Sequence, residues 1–411
     1  MMPIIPEVLS PAGDEERLDA ALQFGADAVY LSGEQFGMRA ACANFSEDAL
    51  SRAVQKTHLV GKKLYVTCNI LPRNRDIDAL PSYFSFLNDI GVDALIITDL
   101  GTMKLAAQYA PRCALHISTQ FGVVNYATAQ ALYEMGAKRV VLARELSMDE
   151  IREIRALTPP ELELEAFVHG AICMSYSGRC VISNYLTGRD ANHGECAQPC
   201  RWEYTVLEEK RPYQPMDIVE NENGTYLFNA NDMNMIEHIA ELAQAGIASL
   251  KIEGRAKSAY YTAVTANAYR RAVDGYVRSG FAADYRPEDW IVEELQKISH
   301  RPYGTGFYYG MPKQHLEQGG YIRSYEVAAV AEDWCDGWQR VSQRNRFYAG
   351  ETLDVLEPGK KPYPITVTTI YDATKAEIDY APHPTMTVYF RTDQPIAPGA
   401  LLRHEKTDNP V

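Results

Sequence analysis

A rhythm restricts this chain more than any single motif. Between Glu7 and Gly254, short apolar runs rich in β-branched residues alternate with amphipathic stretches of helical period. Compact apolar runs bounded by turn residues read as strands, and apolar positions recurring every three to four residues read as helices. Strands are expected near Glu7–Leu9 and at residues 26–32 (ADAVYLS), 63–70 (KLYVTCNI), 94–99 (ALIITD), 114–119 (ALHIST), 139–144 (RVVLAR), 164–169 (LEAFVH) and 249–254 (SLKIEG). Helix signals fill the gaps. Asp14 and Ser46 are N-cap candidates for helices closing at Gly25 and Gly61, TAQALYEMG closes at Gly136, and Ser147 with Glu150 forms a capping box. Eight strands each followed by a helix predict an α/β fold, a (β/α)8 TIM-type barrel of parallel strands, whose active site lies where the strands run out into loops. An open doubly wound sheet gives the same local signal and is the alternative.

Only the seventh connection breaks the rhythm: residues 170–231 separate LEAFVH from the next helical pattern, DMNMIEHIAELAQAG. A loop that long in a compact domain is functional or ordered by something else. Past residue 325 the texture changes to short alternating segments such as YEVAAVAE, PITVTTIYD and TMTVYFRTD, the pattern of a small antiparallel β domain. The expected organisation is a barrel over 1–325 with an insertion at 172–230, then a C-terminal β-barrel-like domain over 326–411. The N-terminus has no basic head, and no apolar run approaches membrane-spanning length, so a cytoplasmic protein without membrane contact is expected. With 54 acidic against 40 basic side chains and a net charge of −14, general nucleic-acid binding is disfavoured. Any RNA would be met by a local patch.

The insertion holds four of the eight cysteines, Cys173, Cys180, Cys196 and Cys200, in a C-x6-C-x15-C-x3-C arrangement. The other four, Cys42, Cys68, Cys113 and Cys335, are scattered and read as small hydrophobes. In a reducing compartment clustered cysteines suggest metal or redox chemistry rather than a disulfide framework. Zinc knuckles prefer closer pairs than Cys173 and Cys180, and a cubane iron–sulfur cluster tolerates wider spacing. Spacing alone leaves iron–sulfur, zinc and redox-active thiols open.

Four stretches, LSPAGDEERLDAALQFGADAVYLSGEQFGMRA, EAFVHGAICMSYSGRCVIS, SLKIEGRAKSAYY and HRPYGTGFYYG, resemble the signature segments of the collagenase-like peptidase family U32, with the greatest likeness to its branch of tRNA uridine 5-hydroxylation proteins. The resemblance covers residues 5–310 and is weaker beyond. It implies a barrel and an oxygen-independent hydroxylase with a 4Fe-4S cluster on Cys173, Cys180, Cys196 and Cys200. It also implies a tRNA wobble uridine as substrate and prephenate as hydroxyl donor and co-substrate. Related branches act on a ribosomal RNA cytidine or a ubiquinone precursor, and some draw one cluster ligand from elsewhere in the chain. Two other readings follow from the same family: a peptidase, and a cluster-bearing subunit supporting a paralogous hydroxylase or a homo-oligomer. For peptide hydrolysis the chain lacks G-x-S-x-G, H-E-x-x-H and D-[ST]-G motifs.

Strand ends nominate the remaining site residues. His169 closes the seventh strand just before the cysteines, as a proton-transfer or orienting group or a structural histidine. Tyr176 can stack on a base or a cyclohexadiene ring, or shield a cluster. Lys251, Glu253 and Arg255 alternate along the eighth strand and should face one side as catalytic groups, with Lys257 nearby for a carboxylate or phosphate. Arg39 and Asn44 after the second strand and Arg144 after the sixth are substrate-binding candidates; Asn69, Gln120 and Glu145 are weaker ones. Glu7 reads equally as an inward polar residue or a strand edge.

Overall fold

The computed structural model describes residues 4–38, 44–173, 175–176, 179–202, 220–221, 224–225, 230–312 and 321–406. Eight parallel strands form its centre: β1 Glu7–Pro11, β2 Ala28–Leu31, β3 Lys63–Cys68, β4 Ala94–Ile97, β5 Ala114–Ile117, β6 Arg139–Val141, β7 Glu163–Gly170 and β8 Ile247–Ile252. Each pairs with its successor up to β7, and β8 pairs with both β7 and β1. That closure leaves no strand edge and excludes the open sheet. The helix starts are those the sequence marks: Asp14 and Ser46 accept from backbone amides at their helix N-termini, and Ser147 and Glu150 cap reciprocally. These side chains take up amides that the first helical turn leaves without partners.

Apolar side chains lie in two shells. The larger cluster fills the space between strands and helices, from Val8 and Leu18 round to Leu250 and Tyr269. A smaller one, with Leu9, Tyr30, Tyr65 and Ile96, lies inside the barrel. Below it the interior is charged: Arg139 bridges Glu7 at 2.8 Å, Glu163 at 2.7 Å and Glu165 at 3.0 Å, and Lys251 meets Glu165 at 2.8 Å. Glu7 therefore faces the barrel interior, where Tyr65 Oη donates to it at 2.8 Å. A buried charge is tolerable only when paired, and this network pairs each of its members.

The helix expected from Asp232 begins later. Asp232–Asn234 is a strand, antiparallel to the end of β7 and parallel to Tyr303–Gly304, and the helix proper is Ile239–Gln244 after a single 3-10 turn. The reason is backbone hydrogen bonding: β7 runs past the barrel rim to Gly170, and its last groups need a partner. Asp232, 2% exposed, is fixed there by Arg301 through bonds of 3.0 and 2.7 Å.

From Tyr325 to Glu405, eight short strands form one antiparallel sheet with its own core of residues such as Val341, Phe347, Leu353 and Phe390. It meets the barrel through a buried cation. Arg403, with no exposed side-chain surface, contacts Glu294 and Asp354 at 2.7 Å each. Among the described residues no helix is long and apolar enough to cross a membrane.

Candidate active site

The C-terminal ends of the strands open into a cavity of about 1130 Å³, mouth included. Its floor and walls come from nearly every strand: Tyr30 of β2, Thr67 of β3 and Asn69 just after it, Ile96 of β4, Gln120 after β5, Arg144 after β6, Phe167 of β7, and Lys251, Glu253 and Arg255 at the end of β8. Cys173, Cys180, Cys196 and Cys200 line it too, together with Tyr176 and Asn192. The catalytic end of a TIM-type barrel is thus the place where the cysteine segment settles.

Among its described lining residues the wall carries three cations against one carboxylate, the reverse of the chain's net charge of −14. Lys251 is held by Glu165 and lies 4.7 Å from the Tyr30 ring centre. Burial pushes the Glu165 carboxyl up, but Lys251 and Arg139 outweigh it and hold the group below its ordinary range. Arg144 sits 3.8 Å over the Phe167 ring, donates to the Ala171 carbonyl at 2.9 Å and lies 3.4 Å from Glu253. Its Nε is buried without a partner among the described residues. Arg255 is 5% exposed and donates to Thr67 Oγ1 at 3.3 Å and to the Met38 carbonyl. Although β8 ends at Ile252, Lys251, Glu253 and Arg255 all reach the cavity. Between them Gly254 takes φ +159°, where an added Cβ would lie 2.5 Å from the Tyr261 ring.

Opposite β8 stands a neutral polar pair. Asn69 Nδ2 donates to Gln120 Oε1 at 2.8 Å, and Thr98 Oγ1 approaches the same oxygen at 3.4 Å. Fixed amides of this kind can read the edge of a planar ligand.

Three contacts hold the cysteine segment over the mouth, and a fourth braces it internally. The Leu71 amide donates to the Asn192 carbonyl at 3.0 Å, and Asn192 Nδ2 donates to the Cys180 carbonyl at 2.9 Å. Arg73 pairs with Asp190 at 2.9 Å, and His193 Nε2 lies 3.1 Å from Asp76. All four cysteines are free thiols, Cys173 exposed and the others half-buried. Among the described residues no group of three His, Cys, Asp or Glu side chains is gathered as around one metal ion. Four thiols on one cavity wall are a donor set of the kind that can hold either an iron–sulfur cluster or a zinc ion.

Several candidates lie elsewhere. His169 does not reach the cavity: the β7–β8 register shifts between Phe167 and His169, and the imidazole turns outward among Tyr261, Tyr269 and Tyr303. Burial lowers its pKa to about 3, so it stays neutral at physiological pH. Lys257 also points away, donating to the Ser299 carbonyl at 3.1 Å and covering the Tyr321 ring at 4.0 Å. Asn44, at φ +33°, does not line the cavity. Arg39 lies outside the described residues.

Comparison with known proteins places the chain. Residues 13–318 match the peptidase family U32 domain and residues 323–403 the peptidase family U32 C-terminal domain. The chain belongs to peptidase family U32. One relative, tRNA hydroxylation protein P1 of Bacillus subtilis, is 35% identical, covering 98% of this chain and 95% of its own. An uncharacterized protease of Methanocaldococcus jannaschii is 39% identical over 80% of this chain and 84% of its own. A 23S rRNA 5-hydroxycytidine synthase of Escherichia coli is 35% identical over 85% of this chain and 52% of its own.

Within this U32 chain some lining residues carry no sequence signal of a site. Tyr30 and Phe167 are hidden in apolar runs, though Phe167 shares inward parity with Glu165. Asn192 could be found only through its bonds to Leu71 and Cys180.

Proposed function

We propose that this U32 protein is an oxygen-independent iron–sulfur enzyme that forms 5-hydroxyuridine at the wobble position of tRNA, with prephenate as hydroxyl donor. Its relatives named for tRNA hydroxylation and rRNA hydroxycytidine synthesis support RNA hydroxylation as the activity. The observation that carries the finer reading is the convergence of four thiols and three cations on one cavity at the catalytic end of the barrel. Cys173, Cys180, Cys196 and Cys200 would hold the cluster. When bound there, a 4Fe-4S cluster would supply redox or Lewis-acid iron.

The chain's own residues have separable duties. Arg144, Lys251 and Arg255 make the cavity attractive to a dianion such as prephenate, with Lys251 held in place by its ion pair to Glu165. Arg255 can present a planar fork to a carboxylate, which a lysine cannot. The Asn69 and Gln120 amides face the same space and can hydrogen-bond a pyrimidine edge. His169 takes no part in proton transfer in this reading.

Nucleoside mass spectrometry of tRNA from a deletion strain, complemented with wild type or Cys196→Ala, is the test. Restoration of 5-hydroxyuridine by wild type alone is expected. Restoration by both would remove the cluster from the reading, and no loss in the deletion strain would refute it. The peptidase alternative has less support: among its described lining residues the cavity holds neither histidine nor aspartate to activate a nucleophile.

A further inference from the structure

The cysteine segment exposes large apolar side chains on one surface. Tyr185 is 88% exposed, Val181 68%, Leu186 48%, Tyr176 47% and Trp202 43%. Val181 and Tyr185 stand one turn apart at the helix Ile182–Thr187, where the Tyr185 amide donates to the Val181 carbonyl at 2.9 Å. The 3-10 turn Pro199–Arg201 packs on that helix and delivers Trp202 beside it. Tyr176 and Ile182 also line the cavity, so the surface begins at the mouth and runs outward. Large apolar side chains exposed together at a rim of this kind mark an interaction site.

We propose that this ledge is a stacking platform for the unpaired nucleotides that flank the target base of the RNA. The proposal rests on the RNA-hydroxylase reading and extends it to how the substrate is held. A base reacting inside the cavity must leave its stack, and its neighbours then lose a stacking partner. Aromatic side chains replace that partner whatever the base, which suits a loop and not a duplex. Charge agrees. Arg179 and Arg189 are exposed on the same segment without an acidic partner among the described residues, whereas Arg75 nearby, its side chain 73% exposed, lies 3.8 Å from Asp76. Arg73 contributes less, because Asp190 meets its charge. A protein partner seated permanently on this ledge would cover the mouth through which the substrate enters.

Tyr185 is the residue to change, because so exposed a side chain contributes little to folding. Anisotropy of a labelled tRNA anticodon stem-loop should show Tyr185→Ala binding roughly 5- to 150-fold more weakly, the stacking loss for one base. Tyr185→Phe, which keeps the ring, should bind as wild type does, and a fully paired RNA should not distinguish the three proteins. Stem-loop binding equal in wild type and Tyr185→Ala would overturn the ledge and leave the hydroxylase reading intact. Wild type that binds no RNA and forms no hydroxyuridine would overturn both. A change in sedimentation mass with Tyr185→Ala, at constant RNA affinity, would assign the surface to a second copy of the chain and overturn the proposal.

Discussion

Glu165→Gln tests whether the charged barrel interior sets up the cavity wall. The substitution conserves volume, so its cost is electrostatic. Glu165, 1% exposed in its side chain, accepts from Lys251 Nζ at 2.8 Å and from Arg139 Nη1 at 3.0 Å. Arg139 keeps Glu7 and Glu163, whereas among the described residues Lys251 has no second carboxylate in ion-pair reach. The loss therefore falls on Lys251, a buried ammonium without its counter-ion, and should be about 3–5 kcal/mol. For a barrel this size that is a drop in Tm on the order of 5–15 °C. Hydrogen exchange of the β7 and β8 amides reads the barrel whatever the C-terminal sheet does. Adding Lys251→Met should recover at least half of the loss, because it removes the stranded charge. The folded-state pKa of Glu165 is depressed, so its contribution is present above the unfolded carboxylate value of about 4.3 and is lost as pH falls through the lower folded value. The gap between wild type and Glu165→Gln should accordingly close in acid. A cost under about 1 kcal/mol, or simple additivity with Lys251→Met, would refute the reasoning.

Anaerobically purified protein should be brown with about four irons per chain, and Cys173→Ala or Cys180→Ala should lose both colour and iron; a colourless protein with one zinc would contradict the cluster. His169→Gln should retain iron and the wild-type pH–rate profile, because the neutral imidazole faces three tyrosines and not the cavity; a shifted profile would return His169 to the reaction. The lowered His169 pKa, about 3, makes the folded state lose stability as pH falls below about 6.5, where the unfolded imidazole takes up a proton, and His169→Gln should lessen that slope in acid unfolding curves. Arg255→Lys should keep full iron while losing roughly 30-fold or more in affinity for the anionic donor; unchanged hydroxylation at limiting donor would make Arg255 structural.

By itself the sequence determined the elements and their order. Periods of two and of 3.6, with caps at Asp14, Ser46 and Ser147, are local signals, and each is satisfied within a few residues of chain. It also marked the cysteine segment, and it placed Lys251, Glu253 and Arg255 on one side because side-chain alternation near a strand end is geometric. Only the tertiary structure decided what depends on pairing between distant segments. A register shift between β7 and β8 turns His169 out of the barrel, and the unpaired end of β7 draws Asp232–Asn234 into a strand where the local pattern favours a helix. Glu7 faces inward because Arg139, 132 residues away, needs its carboxylate. Long-range hydrogen bonds and buried charges are satisfied between residues far apart in the chain, and no local period carries their positions.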